Sequence, residues 1–246
     1  MKPVYHFIFL TVLVTSVLVP LQSNASSEKK AVEKDPRQQS TPAEKPQTRL
    51  VPYIPPKPLR PTPKIRTSQG GTRGCGGLPA VTLLAPEHVA LTAQEQPQLY
   101  WHISPATDAP MVFTLSSDDA AEPLLELRLP ESTDPGVYFI SIADHDVYLQ
   151  TGKIYEWSVR MLCEQEKSSS GDLVVKSYIK RVPADERLLV AKQSDDPMTR
   201  ARGYAHNGIW YDAVAVLYQA LTDSVDNQQL KSAWRDLLGQ VDLPTH

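Results

Sequence analysis

The run from Tyr155 to Cys163 constrains this chain more than any other. Tyr155, Trp157, Val159, Met161 and Cys163 alternate with Glu156, Ser158, Arg160 and Leu162. Successive side chains of a strand project to opposite faces, so this segment has one mostly apolar face and one mostly polar face when extended. Wound into a helix, the same residues would scatter their apolar groups around the axis. Shorter alternations surround it: Leu99, Trp101 and Ile103; Met111, Phe113 and Leu115; Leu125, Leu127 and Leu129. Val81–Leu84, Val137–Ile142 and Leu173–Val182 supply three more candidate strands. Turn-forming stretches separate them, at Ser104-Pro105, Ser116–Ala121, Pro130–Gly136, Thr151-Gly152 and Ser168–Gly171.

Seven short strands between Pro79 and Val182, with no helical pattern among them, predict a mainly β region. The arrangement expected over residues 75–182 is an antiparallel β-sandwich. The spacing resembles an immunoglobulin-like or fibronectin III-like module, and Leu149–Trp157 looks like that module's turn into a late strand. A single twisted sheet packed on the C-terminal helices is the alternative.

After Val182 the period changes to that of helices. Pro183 opens one from Ala184 to about Gln193. Asp195 or Asp196 caps a second, with Pro197 in its first turn and Gly208 beyond its end. A third runs from Ile209 to about Leu221, and Asp226 with Gln229 fits a capping box for the fourth. These helices form a small C-terminal cap, residues 183–246, expected to pack on the sandwich.

The N-terminal third has a different composition. Lys2, the uncharged stretch Phe7–Leu21, and the small residues Ser23 and Ala25 read as a signal peptide over residues 1–25, cleaved after Ala25. The apolar run is shorter than the roughly 20 residues a spanning helix needs, although a retained anchor is the competing reading. Residues 26–74 carry nine prolines, 11 Lys/Arg and only 4 Asp/Glu. With few large apolar groups, this segment is expected to be a disordered, basic tether, and its Gly-rich end a hinge. The rest of the mature chain, residues 75–246, holds 13 Lys/Arg and 24 Asp/Glu. The overall charge of −3 therefore hides a basic lead and an acidic body, and an acidic body excludes a uniformly basic nucleic-acid binder.

Cys75 and Cys163 are the only cysteines. In an exported chain they are candidates for one disulfide pinning the start of the domain to its best strand, with two reduced thiols as the alternative.

The phrase Tyr204-Ala205-His206-Asn207-Gly208-Ile209-Trp210-Tyr211-Asp212-Ala213 resembles the cyanobacterial family catalogued as domain of unknown function 928. Further segments are similar to that family: Leu91-Thr92 with Pro97 and Trp101, Gly152–Trp157, Ile179 with Arg181 and Val182, and Leu237–Leu243. The resemblance spans about Gly74 to Leu243. It implies an exported protein of a cyanobacterium-like organism and no established activity.

No catalytic, metal or cofactor motif emerges. Asp144-His145-Asp146 is the densest group of potential ligands, but it lacks the glycine and the oxygen spacing of a calcium loop. Glu156 reads as a solvated strand residue. Within the family phrase, Asn207, Trp210, Tyr211 and Asp212 form either a structural corner or a partner-binding surface. Asp212, in the first turn of a helix, suits free backbone N–H groups. The sequence thus favours a secreted or periplasmic, non-catalytic accessory module that binds a cell-envelope protein or polysaccharide. It has no transmembrane segment after signal removal. An envelope glycan hydrolase and a structural component of a secreted assembly are the alternatives.

Overall fold

Nine strands form among the residues that the computed structural model describes, which are 50–58, 68–69, 80–130, 133–163 and 172–245. They are β1 (Ser68–Gln69), β2 (Ala80–Leu83), β3 (Ala90–Thr92), β4 (Gln98–Ser104), β5 (Met111–Ser117), β6 (Leu125–Arg128), β7 (Gly136–Ser141), β8 (Ile154–Met161) and β9 (Leu173–Arg181). All seven strands expected from alternation are present. They build two sheets, one ordered β1-β2-β4-β7 and the other β3-β9-β8-β5-β6.

Every ladder is antiparallel except one, where Ala90–Thr92 of β3 runs parallel to Ile179–Arg181 of β9. The expected purely antiparallel arrangement is therefore corrected at this edge. Ala90–Thr92 is too short to show a period, and it follows only six residues after β2, which lies in the other sheet.

The inner faces meet in a single apolar cluster. Trp101 of β4 stacks on Phe113 of β5 with ring centroids 6.4 Å apart, and Phe113 meets Trp157 of β8 at 6.2 Å. The Trp101–Phe113 contact joins the two sheets and the Phe113–Trp157 contact extends it within one of them, through residues that are almost wholly buried. On β8 the alternation is as read: Tyr155, Trp157, Val159 and Met161 are buried while their neighbours are half-buried.

Four helices follow: α1 (Glu186–Lys192), α2 (Pro197–His206), α3 (Trp210–Asp223) and α4 (Gln228–Gly239). Asp196 caps α2, accepting from the Met198 and Thr199 amides. Asn227, and not Asp226, caps α4, because its side-chain oxygen accepts from both the Gln229 and Leu230 amides. Helix α1 starts later than expected, where Asp185 accepts from the Leu188 amide. Gly203 lets α1 and α2 touch, since a Cβ there would lie 2.4 Å from the Ala191 Cβ.

Helix α3 covers the side of β4 that faces away from the sheet-to-sheet core. Tyr218 meets Tyr100 edge-on at 5.0 Å and also contacts Phe139 and Trp234. Its hydroxyl donates to the Val137 carbonyl. This explains why both faces of β4 are buried around Leu99–Trp101. Among the described residues no helix is long and apolar enough to cross a membrane.

The expectation of an unfolded segment over 26–74 does not hold for Leu50–Pro58. Val51 and Tyr53 are buried, and the backbone around them is tied to two helices, α2 and α4 with its C-cap. The Val51 amide donates to Asp236 (3.0 Å), the Tyr53 amide to the Gln240 side chain (2.9 Å), and the Ile54 amide to the Ala205 carbonyl (3.1 Å). Gln240 and Arg202 donate in return to the Val51 and Leu50 carbonyls. Composition pointed to solvation because it averages over the segment. Two apolar side chains at alternate positions suffice once helix ends supply partners for the extended backbone. The signal at 1–25, the Gly-rich hinge and Cys75 lie outside the described residues.

Candidate functional site

The sequence singled out Asn207, Trp210, Tyr211 and Asp212, and the structure places all four at the corner between α2 and α3. Asn207 ends α2, and its side-chain amide donates to the Gly203 carbonyl at 2.8 Å. Gly208 has φ +76°, a conformation that favours glycine. A Cβ there would lie 3.0 Å from the Ile54 carbonyl oxygen, so the glycine also seats the Leu50–Pro58 segment.

Trp210 and Tyr211 offer no stacking surface, because both are buried. The Trp210 indole N–H donates to the Leu84 carbonyl at 2.9 Å, fixing α3 to the end of β2. The Tyr211 hydroxyl accepts from the Trp157 indole N–H at 2.8 Å and donates to the Tyr178 carbonyl at 3.2 Å. Its ring packs edge-on against Trp157, so α3 reaches into the core shared by the two sheets.

Asp212 is 4 % exposed. Its Oδ2 accepts from the Thr92 hydroxyl at 2.7 Å and the Ala93 amide at 3.2 Å, and its Oδ1 accepts from the Gln94 side-chain amide at 3.1 Å. These donors favour the charged form, but burial outweighs them and pushes the carboxyl up to about 6. Asp212 thus ties the first turn of α3 to the end of β3, the strand absent from the sequence reading.

Beside this carboxylate lies a pocket of about 240 Å3, whose polar lining comes from Gln94, Gln96, Gln98, Ser141, Tyr204 and Asp212. Three of its glutamine contacts are fixed from behind. Gln94 donates to Asp212, Gln96 donates to the Val147 carbonyl, and Gln98 accepts from the Tyr100 hydroxyl. The sequence carried a signal for this group that went unread. Gln94, Gln96 and Gln98 stand at every second position, and on extended chain such residues share a side.

A larger cleft of about 830 Å3 lies between the Leu50–Pro58 segment, the β2–β3 connection and the C-terminal end. Tyr53, Glu87, His88, Gln240 and Asp242 contribute to its walls. Tyr53 and His88 stack and share a 2.7 Å hydrogen bond, while burial lowers the His88 pKa and favours its neutral ring. Neither residue was singled out in the sequence, because they are 35 positions apart and only the fold pairs them.

The remaining candidates are placed elsewhere. Asp144 and His145 lie in a short 3-10 turn, Ile142–His145, with exposed Asp146 following in a left-handed conformation. Among the described residues no group of three His, Cys, Asp or Glu could hold a metal ion. Glu156 accepts from Lys176 at 2.7 Å and from the Tyr178 hydroxyl, on the outer face of its sheet.

Comparison with curated proteins returns no match. Among solved structures, the chain is similar to an engineered protein whose crystal structure was determined at 1.98 Å as a Northeast Structural Genomics Consortium target. The identity is 13 %, over 42 % of this chain and 20 % of that one, with a TM-score of 0.28. A family model matches residues 68–246, the span from β1 to the last residue of the chain. That span holds both sheets, all four helices and the corner around Asp212, and with it the chain belongs to the family described as Domain of Unknown Function (DUF928).

Proposed function

We propose that the protein is exported and serves as a non-catalytic binding module of the cell envelope or extracellular space, recognising a polysaccharide or protein there. The observation that carries this reading is the polar pocket beside Asp212. Its lining has a single carboxylate, already engaged by three donors of the chain, and hydrogen-bonding side chains held in set orientations. Glycoside cleavage by paired carboxyl groups needs a second carboxyl opposite the first, whereas recognition needs only placed donors and acceptors. The leader residues Lys2, Phe7–Leu21, Ser23 and Ala25 support export. An immunoglobulin-type sandwich is the finer fold reading. It is supported by β4 lying between early β2 and late β7 in one sheet, while β8 lies between β5 and β9 in the other. A Cys75–Cys163 disulfide belongs to the same reading and is supported by there being no free cysteine among the described residues.

Two experiments test this. Sequencing the N-terminus of protein recovered outside the cytoplasm should begin at Ser26, and a chain retained inside with Met1 intact would refute export. A glycan array and envelope pull-down with the folded mature protein should show a partner, and none above background would refute the binding role.

One observation favours a second reading, an envelope glycan hydrolase. The 830 Å3 cleft carries Glu87, Asp242 and His88. Hydrolysis of envelope glycan that is lost in both Glu87→Gln and Asp242→Asn variants would replace the binding reading with this one.

A further inference from the structure

Tyr204 is 4 % exposed and lines the pocket beside Asp212, and its hydroxyl has no hydrogen-bond partner among the described residues. The hydroxyl is not sealed in the core but open to the pocket, so a ligand that enters can bond to it.

The other groups around the pocket sort by what the chain has already used. The Gln94 and Gln96 amide nitrogens donate to Asp212 and to the Val147 carbonyl, which leaves each Oε1 as an acceptor. The Gln98 oxygen is taken by the Tyr100 hydroxyl, which leaves its nitrogen as a donor. The hydroxyls of Ser141 and Tyr204 can each do either. Donors and acceptors are therefore interspersed within one small space. An ammonium ion, which only donates, would leave the Gln98 nitrogen facing it unpaired. An inorganic anion, which only accepts, would face the Asp212 carboxylate and two amide oxygens. Adjacent hydroxyl groups, each donating and accepting, satisfy such a set. Ala215 and Val216 add apolar lining, which suits the C–H face of a ring. The volume, about 240 Å3, is below the ~300–1,000 Å3 typical of sites for drug-sized ligands.

We propose that this pocket binds one hydroxyl-bearing sugar ring, with the Tyr204 hydroxyl, the Gln94 and Gln96 carbonyl oxygens, the Gln98 amide and Ser141 as its hydrogen-bonding groups. The inference rests on the binding-module reading and assigns it a site and a ligand class. Asp212 is a positioning residue: it holds Gln94 and the end of β3 in place.

The test uses the folded mature protein, with the glutamine side-chain amide resonances followed by NMR. Glucose, galactose, N-acetylglucosamine and methylammonium chloride are titrated separately. At least one sugar should shift the Gln94, Gln96 and Gln98 amides, with an affinity of about millimolar order for so small a ligand. Tyr204→Phe removes a hydroxyl that has no partner among the described residues, so its melting temperature should stay unchanged while sugar affinity falls about tenfold. Shifts from methylammonium alone would overturn the inference in favour of a cation site. Sugar binding unaffected by Tyr204→Phe would overturn the assignment, and so would the absence of any shift. A glycan-array signal retained by Tyr204→Phe would likewise refute the pocket while leaving the binding-module reading intact, so the two fail separately.

Discussion

Replacing Tyr211 by Phe isolates one hydrogen-bonded link between the helical cap and the sheets. The ring is retained, and with it the edge-on contact to Trp157 at 6.3 Å, so no cavity opens. What disappears is an oxygen that accepts from the Trp157 indole N–H at 2.8 Å and donates to the Tyr178 carbonyl at 3.2 Å. Trp157 and Tyr211 are almost wholly buried, so water cannot take the place of the lost acceptor. An unsatisfied buried donor costs about 1–3 kcal/mol. The longer bond to Tyr178 adds less, because that carbonyl belongs to strand backbone. We expect a loss of about 2 kcal/mol, which in a domain of this size lowers Tm by about 4–8 °C. Urea titration followed by both circular dichroism and tryptophan fluorescence should show a lower midpoint with an unchanged slope. In a Trp157→Phe background the donor is already gone, so Tyr211→Phe should cost about 1 kcal/mol less than it does in the native chain. A loss under about 0.5 kcal/mol, or no coupling between the two positions, would refute the claim that this hydrogen bond fastens α3 to the core.

Three further outcomes follow from the corner and the segment docked on it. The Asp212 carboxyl is pushed up to about 6 by burial against an ordinary value of 3.8. The folded chain therefore holds the extra proton between those values, and stability present below about pH 4 is lost as pH rises to about 6, by an amount on the order of 3 kcal/mol. The neighbours of the carboxyl are Thr92, Ala93, Gln94 and Tyr204, and Asp212→Asn should flatten this part of the urea-midpoint profile between pH 4 and 7; identical profiles would contradict the assignment. Gly208→Ala forces a side chain into φ +76° and within 3.0 Å of the Ile54 carbonyl oxygen. It should cost about 1–2 kcal/mol and speed amide exchange at Ile54, and an unchanged melt would argue against that backbone strain. Val51→Asp places a carboxylate where the side chain is fully buried. It should release Leu50–Pro58 and erase hydrogen-exchange protection at the Val51, Tyr53 and Ile54 amides while the sheets stay protected; absence of that protection in the native chain would show that the segment does not dock.

Local rules carried the reading of the strands and helices a long way. Alternation located β8 because every second residue, Tyr155, Trp157, Val159 and Met161, turns into the core, so one period describes it. Capping chemistry placed the start of α2 at Asp195 or Asp196 with Pro197 in the first turn, and Asp196 is the cap, since the bonds that start the helix are made within three residues. The missed elements have long-range causes. Ala90–Thr92 is held by pairing with Ile179–Arg181, and Asn207–Asp212 looked like a possible surface because aromatic residues at a turn read alike whether they face solvent or the core. The Gln94, Gln96, Gln98 spacing was visible, but its meaning depends on Tyr204 and Asp212, more than a hundred positions away.

The sequence by itself determined that most of the chain is sheet followed by helices, that a basic lead precedes an acidic body, and that the family phrase sits at a helix corner. These properties rest on periodicity, charge and turn chemistry, all of which act over a few residues. Only the tertiary structure decided that Trp210 and Tyr211 are anchors, that Asp212 is a buried carboxylate held by β3, and that Val51 and Tyr53 leave the proline-rich lead to dock on the helices. The physical reason is that burial and hydrogen-bond satisfaction are set by partners distant in the chain. A side chain's role at this corner follows from what the fold brings against it.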